Sequence, residues 1–413
     1  MKRELFEIYD SGITELDASV KSVSEENGAV LIILDKTPFR PASGGQPTDF
    51  GIIENESFSA KVIDAVEKEG EVIHRCEVAK GRVSPGDKVA AKIDGKRRKN
   101  LMLMHSGEHL FFSCLKKISE KEKKQIEVEK VNLSEEESNL FVKADSLNWY
   151  SIFQAEELAN SIIDEEREVK VRYAEKKNIE HFIEKGLRIK KERIAEDFVR
   201  VVEFSGIDLS ACTGTHVKNT SEIKGIVATD FKNRGNGKFE IKFKAGLSSK
   251  PELFSESRIF RKIETLLCAS GEDAFALIMK LIEEKNELKE KYHKILLESL
   301  LRLEPEKING IKFYFAVLSD AEQKVLTKAA SVLSQDKSLV SFINQREDGK
   351  INIMFMASKN LKADVLSFMN SEILSKFAGK GGGSENYSVA EIECPNERIP
   401  EIELKIRDFA ESL

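Results

Sequence analysis

No apolar run in this 413-residue chain approaches the roughly 18 residues that a membrane-spanning helix needs. The first dozen residues start basic but have no apolar stretch behind them, so a secretory leader is not expected and a cytoplasmic protein is. Five cysteines, at 76, 114, 212, 268 and 394, are too scattered, and odd in number, for a disulfide framework, which leaves each thiol free for metal or chemistry. An excess of basic charge is also missing. With 65 Lys and Arg against 71 Asp and Glu the formal net charge is −6, so any contact with nucleic acid must rely on local patches. What is present is a globular composition, 41% apolar and 33% charged, long enough for several domains at about 150 residues each.

The pattern along the chain predicts a multidomain α+β architecture. Over residues 1–93, short strand-like runs such as 29–34 and 71–78, separated by Gly, Pro, Ser and Asp, suit a small β-barrel. Within it, 37–47 reads as a structured loop whose paired Gly44 and Gly45 allow positive φ. Residues 94–248 read as an α+β core: a buried helix over 94–117, a second over about 151–167, then β-branched stretches at 169–173, 198–204, 223–231 and 239–244. Between 249 and 305, Phe260, Leu267, Ala274, Leu281, Leu288 and Ile295 recur every seven residues. This predicts a helical hairpin or short coiled coil, broken near Ser270 by Gly271, and the helices over 253–303 or the C-terminal module are candidate homodimer interfaces. Residues 306–413 read as a separate α/β module: strand 311–318, helix 320–333, strands 339–344 and 351–356, helix 361–377, a glycine-rich stretch 379–384 and a last helix.

Histidine is scarce, yet two of the six stand as His105-Ser106-Gly107-Glu108-His109. An i, i+4 pair projects both imidazoles from one helix face, where they can share a metal. Cys212-Thr213-Gly214-Thr215-His216 repeats the three-residue gap in a turn after a strand. One thiolate and three imidazoles suit Zn²⁺ better than Mg²⁺ or Ca²⁺. Four protein ligands close a tetrahedral zinc, whereas hydrolysis needs an open position, and spacing alone leaves both open. Glu108 is a general-base candidate by type. The basic cluster Lys96, Arg97, Arg98 and Lys99 is a local patch that can contact nucleic-acid phosphates. The His105 to His109 string also matches HxxEH metalloproteases, with Glu180 or Glu184 as downstream ligand, but that reading leaves Cys212 and His216 unexplained. A non-catalytic RNA-binding protein with a structural zinc is a further alternative. The glycines at 379–383 do not form a GxxxxGK[ST] phosphate loop, so nucleoside triphosphate binding is not expected. Cys76, Cys114, Cys268, Cys394, His74, His181 and His293 carry no assigned role.

Four segments, in order, resemble one family. Thr37-Pro38-Phe39 through Ser43-Gly44-Gly45-Gln46 resembles a TPF…SGGQ loop, and the two ligand pairs resemble the HxxxH and CxxxH of alanyl-tRNA synthetase editing domains and of the free-standing AlaX editing proteins. Val199-Arg200-Val201-Val202 with Cys212-Thr213-Gly214-Thr215-His216-Val217 resembles RVV…CGGTHV, with Thr213 where the family has its first Gly. Residues 379–383 resemble the GGKGGG of the C-terminal DHHA1 module. With 36 residues ahead of Thr37, the resemblance implies a stand-alone long-form protein: barrel at 1–93, zinc-containing editing domain at 94–248, helical linker at 249–305 and DHHA1-like domain at 306–413. It implies hydrolysis, in trans, of the ester of tRNA(Ala) mischarged with serine or glycine. His105, His109, Cys212 and His216 would hold Zn²⁺, Gln46 would orient water or substrate, and Lys380, Gly381 and Gly382 would contact tRNA away from its acceptor end. Thr213 and Thr215 are candidate partners for a serine hydroxyl. Editing of threonyl-type substrates, whose sites share the HxxxH and CxxxH pairs, is the near alternative.

Overall fold

A computed structural model describes residues 3–26, 28–189, 197–346 and 348–413. The chain divides into two compact units, Met1–Lys262 and Ile263–Leu413. In the first, α1 (Arg3–Ser11) precedes β1 (Glu15–Glu26), β2 (Ala29–Leu34), β3 (Gly51–Glu54), β4 (Ser59–Lys68), β5 (Glu71–Lys80) and β6 (Lys88–Ile93). These six strands close into the expected barrel, in the order β1-β2-β5-β4-β3-β6. Alternation drives the closure: β6 buries Val89, Ala91 and Ile93 and turns the residues between them outward. Ile32, Ile53, Val62 and Cys76 fill the interior beside them.

His74, to which the sequence assigned no role, pins the 37–39 loop to this barrel. Because the Ile32 carbonyl can only accept, Nδ1 carries the proton and donates to it at 2.8 Å, while Nε2 accepts from Thr37 Oγ1 at 2.7 Å. Burial pushes this imidazole down to about 4. The unfolded chain therefore takes up the proton first, near 6.5. Stability contributed by neutral His74 is complete above that pH and is lost as pH falls through 4, about 3 kcal/mol in all. Denaturant unfolding of this unit is expected to weaken over that window, and a His74→Asn variant to lose that part of the slope.

The helix expected from residue 94 is α2 (Gly95–Lys121), begun by the Asp94 carboxylate, which accepts from the backbone N–H groups of Lys96 and Arg97. It is buried almost all round over residues 101–115, as a core helix must be. After it come β7 (Ile126–Asn132), β8 (Ser138–Ala144), α3 (Trp149–Asp164), β9 (Val169–Glu175), α4 (Ile179–Glu184), β10 (Phe198–Phe204), β11 (Asp208–Ala211), β12 (Ile226–Gly235) and β13 (Lys238–Ala245). They form a four-stranded sheet, β12-β13-β8-β7, and a three-stranded sheet, β11-β10-β9. Leu110, Phe111 and Leu115 of α2 share one core with Ile152 and Ala155 of α3 and with Phe243 of β13. The β7–β8 hairpin had no counterpart in the sequence reading. β7 is a half-exposed edge strand whose Glu and Lys residues mask its alternation.

Helix α5 (Ser249–Leu267) carries the boundary between the units, and α6 (Gly271–Leu301) lies wholly in the second. The expected break near Ser270 is real: Cys268 and Gly271 take φ of +50° and +54°. Beyond it run β14 (Glu306–Ile308), β15 (Ile311–Ser319), α7 (Gln323–Leu333), β16 (Ser338–Gln345), β17 (Lys350–Ala357), α8 (Val365–Phe368), β18 (Gly379–Ser384), β19 (Tyr387–Glu393) and α9 (Ile399–Glu411). One mixed sheet results, β14-β15-β16-β17-β19-β18, with β15 and β16 parallel. Buried on both faces, β16 reads as an unbroken buried run. Two expectations need correction here. The helix expected over 361–377 is only α8 followed by a π-helical turn, Met369–Leu374, and the glycine-rich stretch is an exposed edge strand paired with β19. Among the described residues, no helix is long and apolar enough to cross a membrane.

Candidate metal centre

Helix α2 supplies His105 and His109, and the turn after β11 supplies Cys212 and His216. All four are buried, and their ligand atoms lie within 4.8 Å of one another. Cys212 Sγ is 3.4 Å from His105 Nε2 and 3.3 Å from His216 Nε2. Each imidazole is held by its other nitrogen. His105 Nδ1 meets Gln46 Oε1 at 2.9 Å, His109 Nδ1 meets Asp208 Oδ2 at 2.9 Å, and His216 Nδ1 lies 3.3 Å from Ser106 Oγ. With Nδ1 engaged outward, every Nε2 faces inward, and because Gln46 Oε1 and Asp208 Oδ2 accept, they fix on His105 and His109 the tautomer a metal requires.

The charges around the cluster suit a cation. Burial would raise the Cys212 thiol, but His105, His216 and His109 overcome it and hold it well below its ordinary value. Burial would lower His109, yet Cys212, Asp208 and Glu108 push it up to about 10. For His216, burial prevails and keeps the imidazole well below 6.5. Asp208 stays ionised despite burial, because His109 and both arms of Arg188, each at 2.8 Å, bond it. A soft thiolate, three inward imidazoles and a surplus of negative charge are the donor set of a borderline-soft divalent metal.

The 37–47 loop braces this centre from the barrel side. Gly44 and Gly45 take φ of +60° and +85°, as expected of the paired glycines. Gln46 Oε1 also accepts from Thr215 N–H at 3.0 Å, and its Nε2 donates to Thr215 Oγ1 at 3.1 Å. The fully buried Arg40 donates to Ser43 O at 2.9 Å, Ser43 Oγ at 2.8 Å and Thr213 O at 3.2 Å, tying the loop to the cysteine turn. Arg200 fixes the other side, bonding the Cys212 carbonyl at 2.7 Å while Asp10 holds its remaining nitrogens. Above the ligands opens a cleft of ≈ 890 Å³ lined by Gly44, Gly45, Glu108, Thr213 and Arg188, with β7 as one wall.

The structure brings some of the expected residues together and separates others. Glu108 lines the cleft, and so does Thr213, whose hydroxyl is 3.0 Å from Ser43 Oγ. Thr215 and Gln46 instead spend their polar atoms on each other and on His105. The basic cluster is divided. Arg98 turns inward to Asp49 and to the Pro38 carbonyl at 2.7 Å, and Arg97 reaches Thr48 O and Glu135. Lys99 is exposed and pairs with Glu222 at 2.6 Å, and Lys96 is exposed on the first turn of α2. Lys380, Gly381 and Gly382 stand exposed on β18, in the other unit. Glu180 and Glu184 are exposed on α4 outside the four-residue cluster, so the metalloprotease ligand set is not formed. Asp208, Arg188 and Arg40 were missed. Only the need of His109 Nδ1 for an acceptor pointed to a carboxylate, and spacing does not say which one.

Two family models match parts of this chain: tRNA synthetases class II (A) over residues 6–97, and the threonyl and alanyl tRNA synthetase second additional domain over 199–239. The alanine–tRNA ligase of Thermotoga petrophila is 28% identical over 411 residues, covering 96% of this chain and 45% of its own length. That of Ignicoccus hospitalis is 28% identical over 98% of this chain and 42% of its own. The chain thus spans less than half the length of these ligases. The alanyl-tRNA editing protein AlaX-L of Pyrococcus horikoshii is 24% identical over 96% of both chains. Among solved structures, the C-Ala domain from Aquifex aeolicus alanyl-tRNA synthetase matches 26% of this chain and 99% of its own at 20% identity and a TM-score of 0.24. The resemblance carried by the loop and the two ligand pairs therefore extends along the chain, which is similar to a free-standing alanyl-tRNA editing protein and to the corresponding part of alanyl-tRNA synthetases.

Proposed function

We propose that this protein deacylates mischarged tRNA(Ala), carrying serine or glycine, in the cytoplasm, at a zinc held by His105, His109, Cys212 and His216. The observation that carries the reading is the convergence of the HxxxH and CxxxH pairs at the floor of one cleft, in a chain similar to AlaX-L over 96% of both. Bound there, zinc supplies Lewis-acid charge for orienting the ester or a water. An aminoacyl ester is intrinsically labile, so the protein's task is chiefly positioning and charge stabilisation. Gln46 does this indirectly, by holding His105 and the Thr215 backbone in place. Thr213 presents its hydroxyl at the cleft, where it can pair with a serine side chain. Alanine offers no such partner and is rejected because the pocket's polar groups would be left unpaired. Lys96 and Lys99 would meet acceptor-stem phosphates, and Lys380 with Gly381 and Gly382 would meet tRNA elsewhere. The exposed heptad residues Phe260, Leu281, Leu288 and Ile295 would form the homodimer interface.

The test is the deacylation rate of Ser-, Gly-, Ala- and Thr-charged tRNAs, with a His105→Ala, His109→Ala variant as control. Serine is expected to be released at least about 100-fold faster than alanine, glycine, which has no hydroxyl either, with a smaller preference set by size, and the variant to lose the activity. Preferential release of threonine would favour the threonyl-type alternative. Binding of tRNA without release of any amino acid would leave a zinc-stabilised tRNA-binding protein.

A further inference from the structure

Glu108 lies on α2 between two members of the cluster, with 5% of its surface exposed, and it lines the cleft. Among the described residues no hydrogen bond reaches its carboxylate, and its one ionic contact is His109 Nε2, at 3.8 Å. A carboxylate buried to this degree is costly unless a cation or several donors meet it. Among the described residues, the neighbouring cations are committed elsewhere. Arg188 places its guanidinium on Asp208, His109 turns Nδ1 to the same carboxylate and Nε2 into the cluster, and Lys116 leans toward Glu120 at 3.8 Å.

The substrate class proposed above brings a cation of its own. In an aminoacyl ester the α-ammonium is one bond from the carbon bearing the ester carbonyl, so it must come to rest beside the ligands when the ester does. We propose that Glu108 is the receptor for this α-ammonium, which makes the site selective for free aminoacyl esters and excludes N-blocked ones such as peptidyl- or N-acylaminoacyl-tRNA. The inference rests on the hydrolase reading. It also assigns Glu108 differently from a general base, because loss of a base acting on water slows free and N-blocked esters alike.

The experiment compares Ser-tRNA(Ala) with N-acetyl-Ser-tRNA(Ala) for the metal-loaded wild type, Glu108→Gln and Glu108→Asp, with metal content measured for each. Wild type is expected to favour the free amine by about 100-fold in kcat/KM, the yield of a charge-assisted hydrogen bond plus the cost of a carboxylate left unpaired. In Glu108→Gln the ratio is expected to collapse to within a few-fold, mainly through KM for the free amine, while Glu108→Asp keeps part of it. Equal slowing of both esters by Glu108→Gln, with the ratio retained, would overturn the proposal in favour of a base. Absence of selectivity in the wild type would overturn it outright. Calorimetric binding of 3′-serylamido-adenosine, with and without N-acetylation, reads the same ratio with no turnover. It therefore decides the role of Glu108 even if neither ester is hydrolysed, an outcome that would instead sink the hydrolase reading.

Discussion

Gly214→Ala is expected to leave the chain folded but to remove most of its bound metal and at least about 100-fold of its deacylation rate. A Cβ at this position would stand 1.9 Å from His105 Cε1, 2.0 Å from its Nδ1 and 2.9 Å from Gln46 Oε1. The ring cannot retreat. His105 is fixed on the buried face of α2, and its Nδ1 is bonded to the same Gln46 oxygen that the methyl would crowd. Either the imidazole leaves the cluster or the cysteine turn moves away from it. A displacement of about 1 Å is enough for a loss of that size in a site that works by positioning. Of the turn only Cys212 and Val217 join the core of this unit, whose centre is built on Leu110, Phe111 and Phe243, which is why circular dichroism and the unfolding midpoint are expected to change little. Thr213→Ala, next door, tests the explanation: its side chain faces Ser43 rather than His105, so it is expected to keep the metal and to change only the preference among amino acids. Full metal content in Gly214→Ala would show that the turn adapts and that this close approach is not required.

Removing the thiolate should have the second large effect. Cys212→Ala is expected to lower metal content from about one equivalent to a tenth or less and to abolish hydrolysis, because Cys212 is the only anionic donor among the four ligands. Asp208→Asn should be milder. The amide still fills the space, but it no longer balances His109 and Arg188, and metal affinity is expected to fall by 10–100-fold, the usual cost of losing a partner that orients a ligating imidazole. Competition against a chelator, with the metal read by atomic emission, separates the two variants without depending on activity. Metal retained in full by Cys212→Ala would place the ion elsewhere, and the ligand assignment would fail with it.

Much of this protein was readable from residue order because its signals are local. The short apolar run of 29–34 and the strand-like run of 71–78 place them in the barrel, and Asp94 ahead of the buried 101–115 stretch places the start of α2. A three-residue gap brings His105 and His109 to one helix face whatever surrounds the helix. Local signals also misled where context prevailed. The lysine and arginine cluster at 96–99 looks uniform as a string, but one turn of helix points Arg98 into the barrel loop and Lys99 out to Glu222. The glycines of 379–384 carry no strand pattern of their own, yet the edge of β19 offers backbone partners that make them a strand. In 126–132, Glu and Lys conceal a strand held in place by β8.

What residue order determined by itself is the ligand set: two pairs of donors whose spacing needs only a helix turn and a tight loop. The environment of those ligands was decided by tertiary structure alone. Gln46, Arg40, Asp208 and Arg188 reach the cluster from loops and strands tens to more than a hundred residues away from the side chains they hold. The charge on His109, the ionisation of Cys212 and the setting of the Glu108 carboxylate among the described residues follow from burial and from which charges packing brings near. Those are properties of distance in space, to which distance along the chain is no guide.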